Sequence, residues 1–217
     1  MKFPIHITSP APNFKQFFIL AGGLILVLAI TGQIIWPTLA LQLSLVCLGA
    51  VALISIGIAK HLEPAISIKL TENSIRYFHR YGQWKLDWSN INRIYIPRFY
   101  HQLEHREISY IGIKINDLEA FIDNVSPRFA SRIIHEHRDI LALAISQGDI
   151  NIAQAQINLS AFKLPSGFEI KGPLAPFFHQ MILLERVYGA HLFIPFSGLT
   201  MPPNDIINQM NVIRKMR

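Results

Sequence analysis

Two pairs of histidines are the first places in this 217-residue chain where chemistry could reside. His101 and His105 are four apart with Glu104 between them. On a helix, i and i+4 spacing puts two imidazoles on one ion, as in zinc-dependent hydrolases. The stretch His101 to Glu107 is polar and reads as a solvated loop, which does not impose that geometry. His135-Glu136-His137 is the second candidate. On a predicted helix, residues two apart lie about 200° around the axis, so one face cannot present both rings. The plainer reading is a polar helix segment with His137 turned toward the core. Ser197-Gly198 lacks the preceding Gly-x of a nucleophile elbow. The chain has no P-loop, no GxGxxG and no CxxC. The single cysteine, Cys47, excludes an intramolecular disulfide, agrees with a reducing compartment and suits a small packing residue. The residues therefore assign no catalytic, metal-binding or cofactor-binding role, and no cofactor is expected.

A third group is a basic–aromatic run: Arg93, Tyr95, Arg98, Phe99, Tyr100 and Arg106. Such a run could stack on single-stranded nucleic acid or lie on lipid headgroups. More often it is one solvated face of a strand. It is the candidate interaction surface of the chain, and no specific nucleic acid is expected to bind it.

The elements that hold these residues begin with an absence. From Gln16 to Ala59, 44 residues contain no Asp, Glu, Lys or Arg, and 31 of them are apolar. The whole chain is 51% apolar and 16% charged, against about 25% charged in a soluble domain. This composition excludes a disordered chain, a collagen-like repeat and a disulfide scaffold. The charge-poor block divides into two stretches, 17–35 and 39–59, around Trp36-Pro37-Thr38. A bilayer core of ~30 Å needs about 20 helical residues. Twelve Leu, Ile, Val or Phe residues in the first stretch favour insertion by roughly 4 to 7 kcal/mol. Eleven lie in the second, where Gln42 is the main polar cost. A soluble core helix would keep a polar face. A signal peptide would have a shorter apolar region and a small-residue cleavage site. The expectation is a transmembrane hairpin over 16–60. Pro37 makes the turn, and Trp36 sits in the interfacial belt. Lys15 and Lys60 flank the spans, and the turn between them carries no charge, so both termini are expected in the cytoplasm. Neither span contains GxxxG or a charged residue, which argues against a channel or pump.

Residues 1–15, with Pro4, Pro10 and Pro12, read as an irregular cytoplasmic arm. After the hairpin, 61–217 reads as an α+β domain. Ile66, Ile68 and Leu70 alternate with polar residues, the period of a half-buried strand. Further strands are predicted over 75–80, 84–88, 93–98 and 108–115. Short helices follow the change of character at Asn116. Ser126-Pro127 predicts an N-cap and a first-turn proline, with one helix running to Gly148 at its C-terminus. Residues 149–176 read as loop with short elements, 177–188 as helix, 190–196 as strand, and 203–216 as a helix capped near Asn204.

Ile66-Ser67-Ile68-Lys69-Leu70-Thr71-Glu72-Asn73-Ser74-Ile75-Arg76-Tyr77, followed by Trp84-Lys85-Leu86-Asp87-Trp88-Ser89-Asn90-Ile91, resembles bacterial PH-like domain proteins. The shared features are a strand, a Leu-Thr-Glu-x-x-Ile turn, a second strand and an aromatic Trp-Ser-x-Ile hinge. The chain as a whole also resembles an uncharacterised family of bacterial inner-membrane proteins with two spans. The resemblance implies a PH-like β-barrel closed by a C-terminal helix, with residues 116–189 as a helical insertion. The Lys and Arg-x-Arg pattern of lipid-binding PH domains is missing, so phosphoinositide binding is not carried over. The function expected is a non-enzymatic module, anchored in the bacterial inner membrane, that binds a protein partner or the membrane surface. The alternatives are a membrane-bound metal-dependent hydrolase using His101 and His105, or an accessory subunit of a larger membrane complex.

Overall fold

A computed structural model describes residues 3–10, 13–101 and 104–216. The chain forms two compact units, one from residues 9–65 and one from the segment before Ser9 together with the chain from Ile66 onward.

The first unit is a helical hairpin. α1 (Lys15–Ile35) and α2 (Ala40–His61) are joined by Trp36 and a 3₁₀ turn over Pro37–Leu39, with proline at its first position. Both helices are long and apolar enough to cross a membrane. Their mutual contact runs through small residues. Gly22, Ala29 and Gly32 of α1 and Ala50 and Gly57 of α2 are the buried positions. A Cβ on Gly22 would meet the Ala50 carbonyl oxygen at 2.9 Å, and one on Gly57 would meet the Ile19 amide nitrogen at 3.0 Å. Four of the polar side chains find partners within the hairpin. Thr31, Ser44 and Ser55 donate to carbonyls of their own helices, and Gln33 Nε2 donates to Ser44 Oγ of the other helix at 3.3 Å. In hydrocarbon, an unpaired donor would cost several kcal/mol.

The second unit is mixed α+β. An antiparallel sheet has the order β1 (Ile5–Thr8), β2 (Ile66–Leu70), β3 (Ser74–His79) and β4 (Gly82–Asp87). Residues 5–8 of the segment expected to be an irregular arm are therefore its edge strand. Ile5 pairs with Leu70 and Ile7 with Ile68, and Ile7 is buried. The alternation of Phe3, Ile5 and Ile7 with Pro4, His6 and Thr8 is a strand signal that the prolines obscured. After a 3₁₀ turn at Trp88–Asn90, whose Trp88 Nε1 donates to Thr71 O at 3.0 Å, the chain enters β5 (Ile91–Tyr95). A hairpin follows, β6 (Arg98–His101) and β7 (Glu104–Glu107), where the sequence reads as loop. Then β8 (Tyr110–Ile115) takes the centre of a second sheet.

Helices separate β8 from its other neighbour: α3 (Glu119–Ile122), α4 (Pro127–Glu136) and α5 (Arg138–Gln147). The two-residue strands β9 (Phe162–Lys163) and β10 (Glu169–Ile170) form a small hairpin before α6 (Leu174–Tyr188). β11 (Leu192–Pro195) completes the second sheet in the order β11-β8-β5, and α7 (Pro203–Lys215) follows. The Ser126 side chain accepts from the Phe129 N–H at 3.1 Å, as its sequence predicts, and Gly148 takes the left-handed conformation that ends α5. α7 has no side-chain cap; Pro203 at its first turn replaces the expected Asn204 cap.

The single helix expected up to Gly148 is broken at His137. In an unbroken helix the Ile134 carbonyl would take the Arg138 N–H; here it accepts the Gln180 side-chain amide at 3.3 Å. One core, containing Trp84, Phe121, Phe129, Phe177 and Phe178, joins both sheets to the helices. A second cluster packs α5 and α6 against Phe193 of β11. Among the described residues the two sheets do not close into a barrel.

Candidate functional site

The basic–aromatic run is divided by Pro97 into β5 and β6, and its members have different surroundings. The Arg93 guanidinium lies 4.3 Å above the Tyr95 ring. The Tyr95 hydroxyl donates to the Tyr188 carbonyl at 2.7 Å. Burial raises the Tyr95 pKa, with Arg93 opposing. Its ring face and its hydroxyl are thus both engaged within the chain. Arg98 Nη2 pairs with Glu107 Oε1 at 2.9 Å across the β6–β7 hairpin. Phe99 packs against the second core cluster, and Arg106 is exposed. The side chain of Tyr100 lies outside the described residues.

Of the run, Tyr95 and Arg98 line a groove of about 420 Å³, walled by Ile94, Tyr95, Ile96, Arg98 and Glu107 on one side and by Asn204 and Ile207 of α7 on the other. β5 is the edge of its sheet. α7 covers the start of that edge, where the Arg214 guanidinium donates to the Asn92 carbonyl. The groove therefore has an apolar floor and an ion pair at its rim, beside a strand edge. Edge strands with adjoining pockets are where extended peptides dock. Arg98 and Tyr95 were visible in the sequence. Ile94, Ile96 and Glu107 lie near them in the chain, whereas Asn204 and Ile207 were not legible, because α7 is about a hundred residues away and only the fold brings it to β5.

The metal candidates are dispersed. His135 is exposed, with Nδ1 3.1 Å from Arg138 Nη2. Glu136 turns the other way: its Oε2 lies 3.1 Å from His79 Nε2 and its Oε1 3.7 Å from Arg80 Nη2. The His79 hydrogen bond is the largest influence holding the Glu136 carboxyl below its ordinary pKa. His137 is buried between the rings of Tyr110 and Phe193. Desolvation lowers its pKa from 6.5 to about 4, so it is neutral at physiological pH. Among the described residues no three His, Cys, Asp or Glu side chains gather as a metal-ligand set. The backbones of His101, Glu104 and His105 belong to the β6–β7 hairpin, with His101 opposite Glu104 and Tyr100 opposite His105. Their side chains lie outside the described residues. Their backbone is a strand pair, so the helical i, i+4 argument does not apply to them.

Trp36, between the two long helices, is 58% exposed. Lys15 opens α1 and Lys60 lies in the last turn of α2, so all three candidate anchors stand at helix ends. No curated protein and no solved structure matches the chain. A family model does match, over residues 68–216, which is most of the chain and runs from within β2 to the end of α7; the protein belongs to the family described as protein of unknown function, DUF2982.

Proposed function

We propose that the chain is a non-enzymatic interaction module anchored in the bacterial inner membrane, with α1 and α2 as its spans and both termini in the cytoplasm. The α+β unit is read as a variant of the PH-like fold. That reading draws support from its antiparallel sheets of four and three strands, the terminal helix α7, and the sequence resemblance of residues 66–91. The orientation is supported by Lys15 and Lys60 at the outer ends of the helices and by the uncharged turn between them.

The observation that carries the functional reading is the groove between β5–β6 and α7. Its floor of Ile94, Ile96 and Ile207 suits one apolar side chain of a protein partner. The Arg98–Glu107 pair at the rim can exchange its internal contact for charges on that partner. The partner strand would run along the exposed part of the β5 edge. Such a site suits binding and positioning a partner segment.

The test is a photo-crosslinking residue at position 204, which is exposed at the groove wall. In native membranes one dominant protein adduct is expected, and Arg98→Glu should reduce it at least several-fold. The absence of a protein adduct, or an adduct indifferent to Arg98→Glu, would remove the groove from the proposal.

A further inference from the structure

Among the described residues of the α+β unit, six large apolar side chains are exposed. Four fall within one segment: Ile152 at 71%, Ile157 at 47%, Leu159 at 79% and Phe168 at 62%. The other two, Val212 and Met216, lie at the end of the chain. Scattered exposed apolar residues are ordinary, whereas a concentration of them marks a contact surface. Between Asp149 and Glu169 the only charged residue is Lys163.

The exposure is built into an ordered scaffold. Asn151 N donates to Gln154 Oε1 at 2.9 Å, and Gln154 N to Asn151 Oδ1 at 2.8 Å. Ser160 N and Oγ both bond Asn158 Oδ1. His179 Nε2 of α6 lies 3.2 Å from the Ser160 carbonyl. β9 and β10 close the far end. Ala155 and Phe162 pack inward on the two core clusters, while Ile152, Leu159 and Phe168 remain outside.

We propose that residues 150–168 form a lipid-contacting loop, in which Ile152, Leu159 and Phe168 enter the boundary between headgroups and acyl chains while Lys163 and Lys171 meet anionic headgroups. The inference rests on the reading of α1 and α2 as membrane spans. Three observations select lipid over a protein partner. The polar residues of the segment are Asn, Gln and Ser, which lose less on entering the interfacial zone than charges do. The side chains of Lys163 and Lys171 are 74% and 76% exposed, and both stand beside Glu169, at 3.3 and 3.7 Å, leaving a net positive rim. Residues 62–65 are the whole connection between α2 and β2. A chain anchored through α2 is therefore tethered at high effective concentration to the bilayer, so weak insertion suffices.

The experiment uses the full chain with Cys47→Ser and Leu159→Cys, carrying an environment-sensitive fluorophore at 159, in vesicles of phosphatidylglycerol and phosphatidylcholine. A blue-shifted emission is expected, quenched by spin-labelled lipid and protected from an aqueous quencher. The protection should fall when phosphatidylglycerol is omitted or when Lys163→Gln and Lys171→Gln are combined. An emission at the aqueous value with full aqueous quenching would overturn the proposal. So would shielding seen only in native membranes, which would assign the loop to a protein partner. Alkaline carbonate washing of the same vesicles separates the two readings. A chain that washes off contradicts the spans themselves, whereas a retained chain with an aqueous probe contradicts only the loop.

Discussion

His137 shows how one residue acquires a property that its neighbours in sequence do not confer. Its ring packs edge-on to Phe193 at 5.9 Å and to Tyr110 at 6.5 Å between centroids. Burial lowers its pKa to about 4. In the unfolded chain it titrates near 6.5, so between those values the unfolded state binds more protons and stability falls as pH falls. The contribution is complete above about pH 6.5 and is lost through pH 4, a change of about 3 kcal/mol. His191, also lowered by burial, acts in the same direction. We expect the urea midpoint of the α+β unit, followed in the full chain in detergent, to drop between pH 7 and 4.5. We expect the drop to shrink by more than half in His137→Gln. That His137 faces the core was legible, since His135 and His137 cannot share a helix face. The bond between Glu136 and His79 was not, because the two are far apart in sequence and belong to a helix and a strand.

At the scale of elements, the hairpin depends on small residues spaced by seven rather than four. Gly22 and Ala29 in α1, and Ala50 and Gly57 in α2, are buried at that spacing, and Gly32 of α1 is buried beside them. The GxxxG spacing does not describe this stripe. Gly49, by contrast, faces open space, with no atom within 4 Å of where a Cβ would stand. Gly57→Leu should lower the thermal midpoint for loss of helical circular dichroism in detergent by the equivalent of about 1–3 kcal/mol of overpacking. Gly49→Leu should leave it unchanged. The same scale explains the break at His137. Nothing in the residues 135–140 forbids a continuous helix; the interruption exists because Gln180 of α6 takes the Ile134 carbonyl and the imidazole takes a place in the core. Ser126 and Pro127 were readable because capping is settled within four residues.

For the whole molecule, the two units divide the chain's chemistry. Charge is absent from 16–59 and near the soluble norm elsewhere, and the boundary drawn by charge falls close to the boundary between compact units. The exception is the N-terminal strand, which belongs to the α+β unit although α1 and α2 intervene before its partner β2. Orientation is a property of this scale. A reporter fused after Arg217 should be active only when it is a cytoplasmic reporter, and periplasmic activity would reverse the assignment. Since β1 and the strands after α2 share one sheet, the segments on the outer sides of α1 and α2 must lie on the same side of any membrane the hairpin crosses.

Composition and short-range order alone determined the two apolar helices, the turn at Pro37, the cap at Ser126 and most strands. Each of these depends on hydropathy, period or local hydrogen bonding within a few residues. Tertiary structure decided the rest. It brought β1 to β2 across the hairpin, turned the polar stretch after Arg98 into a strand pair, and set α7 against β5 to make a groove from residues with no shared motif. These outcomes arise from contacts between distant segments, where what matters is which faces must be buried together, and that is not written in any single window of the chain.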